Sequence, residues 1–210
     1  VLVRNCMEAL QNDKIEASLK CRLGLGKELN YEFFEEFIDE ISKTGIKFIY
    51  VHARNAILSG ISPQGNRTIP PLSYDFVKKI KNKYPNITFI LNGGINNLDK
   101  AESLLKEFDG VMLGRLIKNN PFILKEVDKK IFKEKNKLID ESIINNYFDY
   151  IKPKLGFESI FRLLSPLLSI FFSVPHSKTY KSKINDYMKD QKINLIEDLL
   201  IKFVSENNIS

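Results

Sequence analysis

The sequence has little cysteine and no long apolar run, and both absences narrow the class of protein. Cys6 and Cys21 are its only cysteines, too few for the disulfide framework of a small secreted domain. The most apolar stretch, 161–174, is shorter than the roughly 18 apolar residues that a membrane-spanning helix needs, and Arg162 and Pro166 interrupt it. With no signal-peptide pattern ahead of the first helical pattern, we expect a cytoplasmic protein with no membrane segment.

The bulk composition is that of an ordinary globular protein. Its 210 residues are 43% hydrophobic and 28% charged, enough for one or two domains with a buried core. The net charge of +6 permits an anionic partner, although a solvated lysine-rich surface gives the same value. A chain that begins with Val1 inside a helical pattern is typical of a truncated sequence.

Strand and helix patterns alternate in the first part of the chain. Short apolar runs rich in β-branched and aromatic residues predict strands at 15–22, 47–52, 87–92 and 110–113. Apolar residues at helical spacing predict intervening helices at 31–43, 73–84 and 98–108. This alternation indicates an α/β fold with parallel strands and crossover helices.

The strand pattern stops after about residue 116. Helical spacing then predicts helices at 121–132, 140–151, 158–172 and 195–204. We therefore predict an α/β domain at 1–130 and an all-helical domain at 131–210.

Polar residues follow each predicted strand at its carboxyl end. They are Lys20 with Arg22, His52 with Arg54, Asn92 with Gly93 and Gly94, and Gly114 with Arg115. In a parallel α/β barrel these strand ends form the active-site face, so four polar ends in succession indicate a site. A lone strand histidine or a lone Asn-Gly-Gly turn is more often structural.

Strand alternation assigns the side chains to faces. Lys20 and Arg22 share one face of their strand, whereas Cys21 lies on the other and points away from the strand-end site. We expect Lys20 to be buried and therefore to need a charged partner.

The glycines at the last two strand ends suit a phosphate. Glycine lets the backbone approach an anion closely, and amide groups at a following helix start can donate to it. The loops after the last two strands of barrels often hold a phosphate, to which Arg115 would add charge-assisted hydrogen bonds.

The segment 51–72, VHARNAILSGISPQGNRTIPPL, closely resembles the tRNA-dihydrouridine synthases of the A subfamily. LKCRLG, ILNGGI, DGVMLGR and NNPFIL occur in that family's order and spacing, so the resemblance is strong over 1–130 and weak over the tail. It implies a partial TIM (β/α)8 barrel, holding the last four strands, followed by a helical tRNA-binding domain. The activity implied is reduction of a uridine in the D-loop of tRNA to dihydrouridine, with FMN as cofactor and NADPH as reductant.

The resemblance also assigns residues. Lys20 and His52 match contacts to the flavin ring, and the FMN phosphate matches Asn92, Gly93, Gly94, Gly114 and Arg115. The tRNA contacts match Gln64 and Arg67, and more loosely Lys178 and Lys181, within a segment where tyrosines can stack on unpaired bases.

The family's catalytic acid is a cysteine on a loop after an earlier strand, and nothing here matches it. We expect it upstream of Val1 and assign neither Cys6 nor Cys21. A half barrel exposes apolar faces, so we expect the chain alone to be poorly soluble or to bind FMN weakly. No metal site is assigned, and the full-length protein is expected to be monomeric.

Two other functions stay open at this point. One is another FMN barrel that acts on a small pyrimidine, although the basic tail and the Gln64–Arg67 loop argue against it. The other is a non-catalytic RNA-binding remnant of the enzyme, which only the absent cysteine supports.

Overall fold

The computed structural model describes residues 1–10, 15–134, 141–171, 174–175 and 177–206. They form two compact units, Val1–Leu113 and Gly114–Ser210, and each is described by itself. The predicted boundary at residue 130 lies later in the chain, and the division into functional domains stays a prediction.

The first unit alternates helices and strands. In chain order it contains α1 (Leu2–Ala9), β1 (Ser18–Arg22), α2 (Tyr31–Ser42), β2 (Phe48–His52), α3 (Tyr74–Lys83), β3 (Thr88–Asn92), α4 (Leu98–Leu105) and β4 (Gly110–Met112). A short 3₁₀ turn, Gly65–Arg67, lies in the long connection between β2 and α3. The strands pair in parallel in the order β1-β2-β3-β4, which confirms the predicted parallel α/β fold.

Helices cover one face of this sheet and bury its apolar residues. Ile49 and Val51 of β2 and Phe89 and Leu91 of β3 are fully buried in the core, with residues of α2, α3 and α4. Burial of one such side chain stabilises the fold by about 1.5–3 kcal/mol. These strands therefore hold their register, because a shift of one residue would move the apolar side chains to the opposite face.

The opposite face of the sheet is more open and carries the polar strand-end residues. Tyr50 and Ile90 are half-buried there, and Lys20 is exposed. The prediction that Lys20 is buried and needs a charged partner is therefore wrong. β1 lies at one end of the strand order, and α2, α3 and α4 pack on the other face, so the Lys20 side chain reaches solvent.

The second unit is helical in its described residues, apart from a bridge between Leu155 and Glu158. It contains α5 (Arg115–Asn119), α6 (Ile123–Lys130), α7 (Ser142–Ile151), α8 (Ile160–Leu164), α9 (Ser177–Lys189) and α10 (Ile193–Glu206), with 3₁₀ turns at Lys152–Lys154 and Leu167–Phe171. Its core brings together Phe148, Phe171 and Phe203. The predicted helix 158–172 is interrupted, because Pro166 cannot continue α8.

None of the described helices is long and apolar enough to cross a membrane.

Candidate functional site

Three polar residues form a row across the carboxyl ends of neighbouring strands. In the parallel register Arg22 of β1 lies opposite His52 of β2, and His52 lies opposite Asn92 of β3. Residues in register share a face, and this is the face opposite the helices, so the structure brings together the side chains that alternation assigned to the strand-end site. Lys20 lies two residues before Arg22 in β1, on the same face, and pairs in register with Tyr50.

The His52 ring packs against the turn that follows β3. His52 is only 8% exposed, and a Cβ added to Gly93 would lie 2.6 Å from its Cδ2 atom. Gly93 has φ +112°, a conformation that side chains disfavour. Two independent requirements, backbone conformation and the ring of His52, therefore demand glycine at this position.

The Gly93-Gly94 turn is oriented by hydrogen bonds from two side chains. The Tyr74 hydroxyl donates to the Gly93 carbonyl at 2.6 Å, and the Lys100 ammonium donates to the Gly94 carbonyl at 3.0 Å. In a trans peptide the N–H points opposite to the carbonyl. The amides of Gly94 and Ile95 are thus turned away from Tyr74 and Lys100, an arrangement that can donate to an anion.

Asn92 uses its side chain to join two strands. Its Nδ2 donates to the Met112 carbonyl of β4 at 2.8 Å. This bond fixes the spacing of β3 and β4 where the glycine turn begins.

Gly114 and Arg115 follow β4 in the chain and open the second unit. Gly114 is the N-cap of α5, and a Cβ added there would meet nothing within 4 Å. Both residues are exposed.

The connection after β2 presents Gln64 and Arg67 to solvent. Both are exposed, at either end of the 3₁₀ turn. Asn66 lies between them. Its side chain is only half exposed and forms hydrogen bonds with the main chain of Ile57.

Arg22 turns from the strand end toward this connection. Its Nη1 donates to the main-chain oxygens of Asn55 at 2.8 Å and Asn66 at 2.9 Å, and lies 3.2 Å from Asn66 Oδ1. Burial lowers the pKa of Arg22, and the nearby charge of Arg67 lowers it further. The guanidinium thus joins the end of β1 to the connection that follows β2.

The sequence alone does not predict a role for Asn66, Tyr74 or Lys100 in the site. Asn66 lies within 51–72, the segment that resembles the tRNA-dihydrouridine synthases, and this position could have indicated a role for it. Tyr74 and Lys100 carry no such signal, because their role depends on contacts with the glycine turn from other elements.

The two cysteines differ in environment. Cys21 packs with the apolar core on the helix-covered side, and burial raises its pKa from 9.0 to about 12, although the Lys20 charge acts in the opposite direction. Cys6 is exposed on α1. Cys21 therefore stays a protonated thiol at neutral pH, away from the polar row.

Two predicted tRNA contacts lie on α9. Lys178 is exposed, and Lys181 is half-buried at the edge of a cavity of about 580 Å³ that Lys118 and Pro166 also line. Tyr180 packs against Phe171 and Phe203 and donates to Glu206 at 2.9 Å, so its ring packs onto the core of this unit.

No group of three or more His, Cys, Asp or Glu residues that could hold a metal occurs within the described ranges. A further cavity of about 590 Å³, lined by Ala17, Gly45 and Lys47, lies beside the amino ends of β1 and β2 and so away from the polar row.

Comparison with known proteins gives consistent matches. Residues 1–206 match the model of the family described as dihydrouridine synthase (Dus). A tRNA-dihydrouridine(20/20a) synthase of Shigella flexneri is 33% identical over 205 residues, which cover 95% of this chain and 60% of that protein. The protein of the same name from Vibrio cholerae is 33% identical over 207 residues, covering 96% of this chain and 63% of its own length.

A third relative of that name, from Pseudomonas putida, is 40% identical over 132 residues, which cover 62% of this chain and 39% of that protein. The chain spans about three fifths of the length of the first two relatives, at 60% and 63%. The family match extends over both compact units and includes every strand that contributes to the polar row. The chain belongs to the dihydrouridine synthase family.

Proposed function

We propose that this chain forms part of an enzyme that reduces uridine in the D-loop of tRNA to 5,6-dihydrouridine, with FMN as cofactor and NADPH as reductant. The observation that carries the proposal is the row Arg22–His52–Asn92, which leads directly into the Gly93-Gly94 turn at the carboxyl ends of parallel strands. In open or closed parallel sheets, this is the edge at which ligands bind.

The turn fits the phosphate of FMN. Its carbonyls accept hydrogen bonds from Tyr74 and Lys100, so the amides of Gly94 and Ile95 are available on the other side. Asn92 holds the turn beside β4. Gly114 and Arg115 are proposed to contact the phosphate on the basis of their sequence match alone.

Lys20 and His52 are proposed to contact the flavin ring. FMN supplies the hydride that reduces the uracil ring. Lys20 is a cation on the open face of the sheet, where it can stabilise the negative charge that develops during transfer. His52, packed against Gly93, is held in a fixed position relative to the turn.

The RNA is proposed to contact Gln64 and Arg67 in the first unit and Lys178 and Lys181 on α9. All four are at least partly exposed, as phosphate and base contacts require. Because the target base must leave its stack to reach a flavin, the enzyme needs such gripping surfaces on the surrounding nucleotides. We propose that 131–210 acts as a helical tRNA-binding domain and that the enzyme acts in the cytoplasm.

The four parallel strands are proposed to be part of a (β/α)8 barrel. A barrel of this type has eight strands and typically about 250 residues, and the relatives are longer than this chain. Closure of such a barrel would turn the face that carries Lys20 toward the barrel interior.

The test uses the intact protein and unmodified tRNA transcripts. We expect a flavin absorbance spectrum, oxidation of NADPH, and dihydrouridine in the digested tRNA by mass spectrometry. The relatives are named for positions 20 and 20a, so transcripts with cytidine at these positions should lose the product. Conversion of free pyrimidines but not tRNA would favour a small-molecule FMN enzyme instead. RNA binding without flavin or product would favour a non-catalytic RNA-binding protein.

A further inference from the structure

Asn66 closes the connection between β2 and α3 into a fixed loop. Its Oδ1 accepts from the Ile57 amide at 3.0 Å, and its Nδ2 donates to the Ile57 carbonyl. One side chain therefore satisfies both main-chain groups of a residue nine positions earlier. The backbone of Asn66 is also tied, since its amide donates to the Ser62 carbonyl at 2.9 Å. These hydrogen bonds restrict the conformation of the loop, which has no strand pairing of its own to hold it.

Arg22 anchors this closed loop to the sheet. One guanidinium nitrogen donates to the main-chain oxygens of both Asn55 and Asn66, at 2.8 and 2.9 Å. These two residues lie at the beginning of the loop and in its 3₁₀ turn. Because the guanidinium is planar and always charged, it holds several acceptors in a fixed geometry that lysine cannot reproduce.

The base of the loop continues the pairing of β1 and β2 beyond the strands. The Ala56 amide donates to the Gly24 carbonyl at 2.8 Å, and the Gly26 amide donates to the Ala56 carbonyl at 2.9 Å. Asn55, only 1% exposed, donates from its side chain to the Glu28 carbonyl. The loop therefore starts from a rigid base.

Two of the exposed residues of the closed loop are the predicted RNA contacts. Gln64 and Arg67 flank Gly65 and Asn66 in the 3₁₀ turn, and both side chains reach solvent. The turn lies close enough to the sheet for the Arg67 charge to act on Arg22.

We propose that Asn66 is a positioning residue, which together with Arg22 pre-forms the loop so that Gln64 and Arg67 meet tRNA without an ordering cost. This inference rests on the proposed function, because it names how that enzyme prepares its RNA surface. Pre-organisation raises affinity by removing the entropy that a mobile loop would lose on binding. Asn66 itself does not need to touch the RNA.

The test compares Asn66→Ala with Asn82→Ala in the intact protein. Asn82 is exposed on α3, at the helix end that leads to the amino end of β3, so its loss is a matched control. For Asn66→Ala we expect the KM for tRNA to rise by about tenfold, with kcat, flavin content and NADPH oxidation without tRNA little changed. Hydrogen exchange should rise at the Ile57 amide and across 62–69, and not in β2.

A double-mutant cycle separates positioning from general stability. If Asn66 acts through Arg67, then Arg67→Ala should weaken tRNA binding in the wild type and have little further effect in Asn66→Ala. Additive effects would overturn the inference, as would an unchanged KM for Asn66→Ala. If Asn66→Ala does not fold, Asn66→Ser replaces it in the same double-mutant cycle, and the same criteria apply. Wild-type protein that neither binds nor modifies tRNA would instead overturn the proposed function.

Discussion

The imidazole of His52 occupies the space in which a side chain at residue 93 would begin. A Cβ on Gly93 would lie 2.6 Å from His52 Cδ2 and 3.0 Å from its Nε2. His52 is the last residue of β2, Gly93 directly follows β3, and His52 pairs in register with Asn92. The position of the histidine and the conformation of the turn are therefore coupled, so a change at one residue moves the other.

Gly93→Ala should disrupt the turn through this coupling. Alanine at φ +112° is strained, and its methyl group must displace His52. We expect FMN affinity to fall by about tenfold or more, which corresponds to about 1.4 kcal/mol. Flavin retained after gel filtration and fluorescence titration with free FMN would measure this.

Gly45→Ala is the matched control for that substitution. Gly45 also has a positive φ of +82°, but an added Cβ meets nothing within 4 Å, and the residue follows α2 at the other end of the sheet. We expect a loss of stability of about 1–2 kcal/mol from the backbone alone, with unchanged FMN affinity. Equal FMN affinities for the two variants would contradict the coupling.

Tyr74→Phe tests whether the orientation of the turn matters. The substitution removes the 2.6 Å hydrogen bond to the Gly93 carbonyl and keeps the edge-on packing of the ring with Phe108. Loss of a hydrogen bond of this kind costs about 0.5–1.5 kcal/mol. We expect FMN affinity to fall severalfold, because the Gly94 amide is no longer held in place.

Tyr84→Phe provides the comparison for Tyr74. The Tyr84 hydroxyl bonds to Asp39 at 3.1 Å between α2 and α3, on the helix-covered side of the sheet. This variant loses a hydroxyl and a hydrogen bond as well, yet it should alter only thermal stability. A similar FMN affinity in both variants would show that Tyr74 does not order the phosphate site.

Lys178→Ala and Lys181→Ala should weaken tRNA binding through charge. When a phosphate contact is lost, fewer counterions are released on tRNA binding. The slope of log affinity against log salt concentration should therefore decrease in magnitude by about 1 for each lysine. Lys189→Ala, on the same helix but 3.8 Å from Asp186, is the control. Slopes that match the control would remove α9 from the RNA surface.

The sheet was predictable because its strands are short, apolar and separated by clear helical patterns. The observed strands β1–β4 lie within the predicted ranges. Helix α9 was not predicted as a helix. Only Ile184 and Met188 of its residues are buried, and its many lysines leave too few apolar residues to show a helical spacing. Pro166 marked the break that divides the predicted helix 158–172, but periodicity alone did not separate the two parts.

The site was predictable only where it follows strand geometry. Alternation placed Arg22, His52 and Asn92 on one face, because residue parity is a local property. The bonds from Tyr74 to Gly93 and from Arg22 to Asn66 join residues far apart in the chain, and local patterns carry no information about them. The error at Lys20 has a related cause, because position within a strand does not reveal which face is covered.

Cys21 should make the stability of the protein fall at alkaline pH. Its pKa is 9.0 when unfolded and about 12 when folded, mainly because the thiol is buried. Between these values the unfolded chain has lost the proton and the folded chain has kept it, so fewer protons are bound in the unfolded state. The free energy of unfolding then decreases as pH rises, by up to about 1.4 kcal/mol per pH unit.

Urea unfolding of wild type and Cys21→Ala at pH 8 and pH 10 isolates this contribution, because other titrating groups are common to both proteins. We expect the wild type to lose about 1 kcal/mol more than the variant across that interval. Cys6→Ala, which removes the exposed thiol of α1, should behave as wild type. In the folded protein a thiol reagent at pH 8 should label the exposed Cys6 much faster than the half-buried Cys21. Rapid labelling of Cys21 in the native state would show that the thiol is accessible, and the pH argument would then fail.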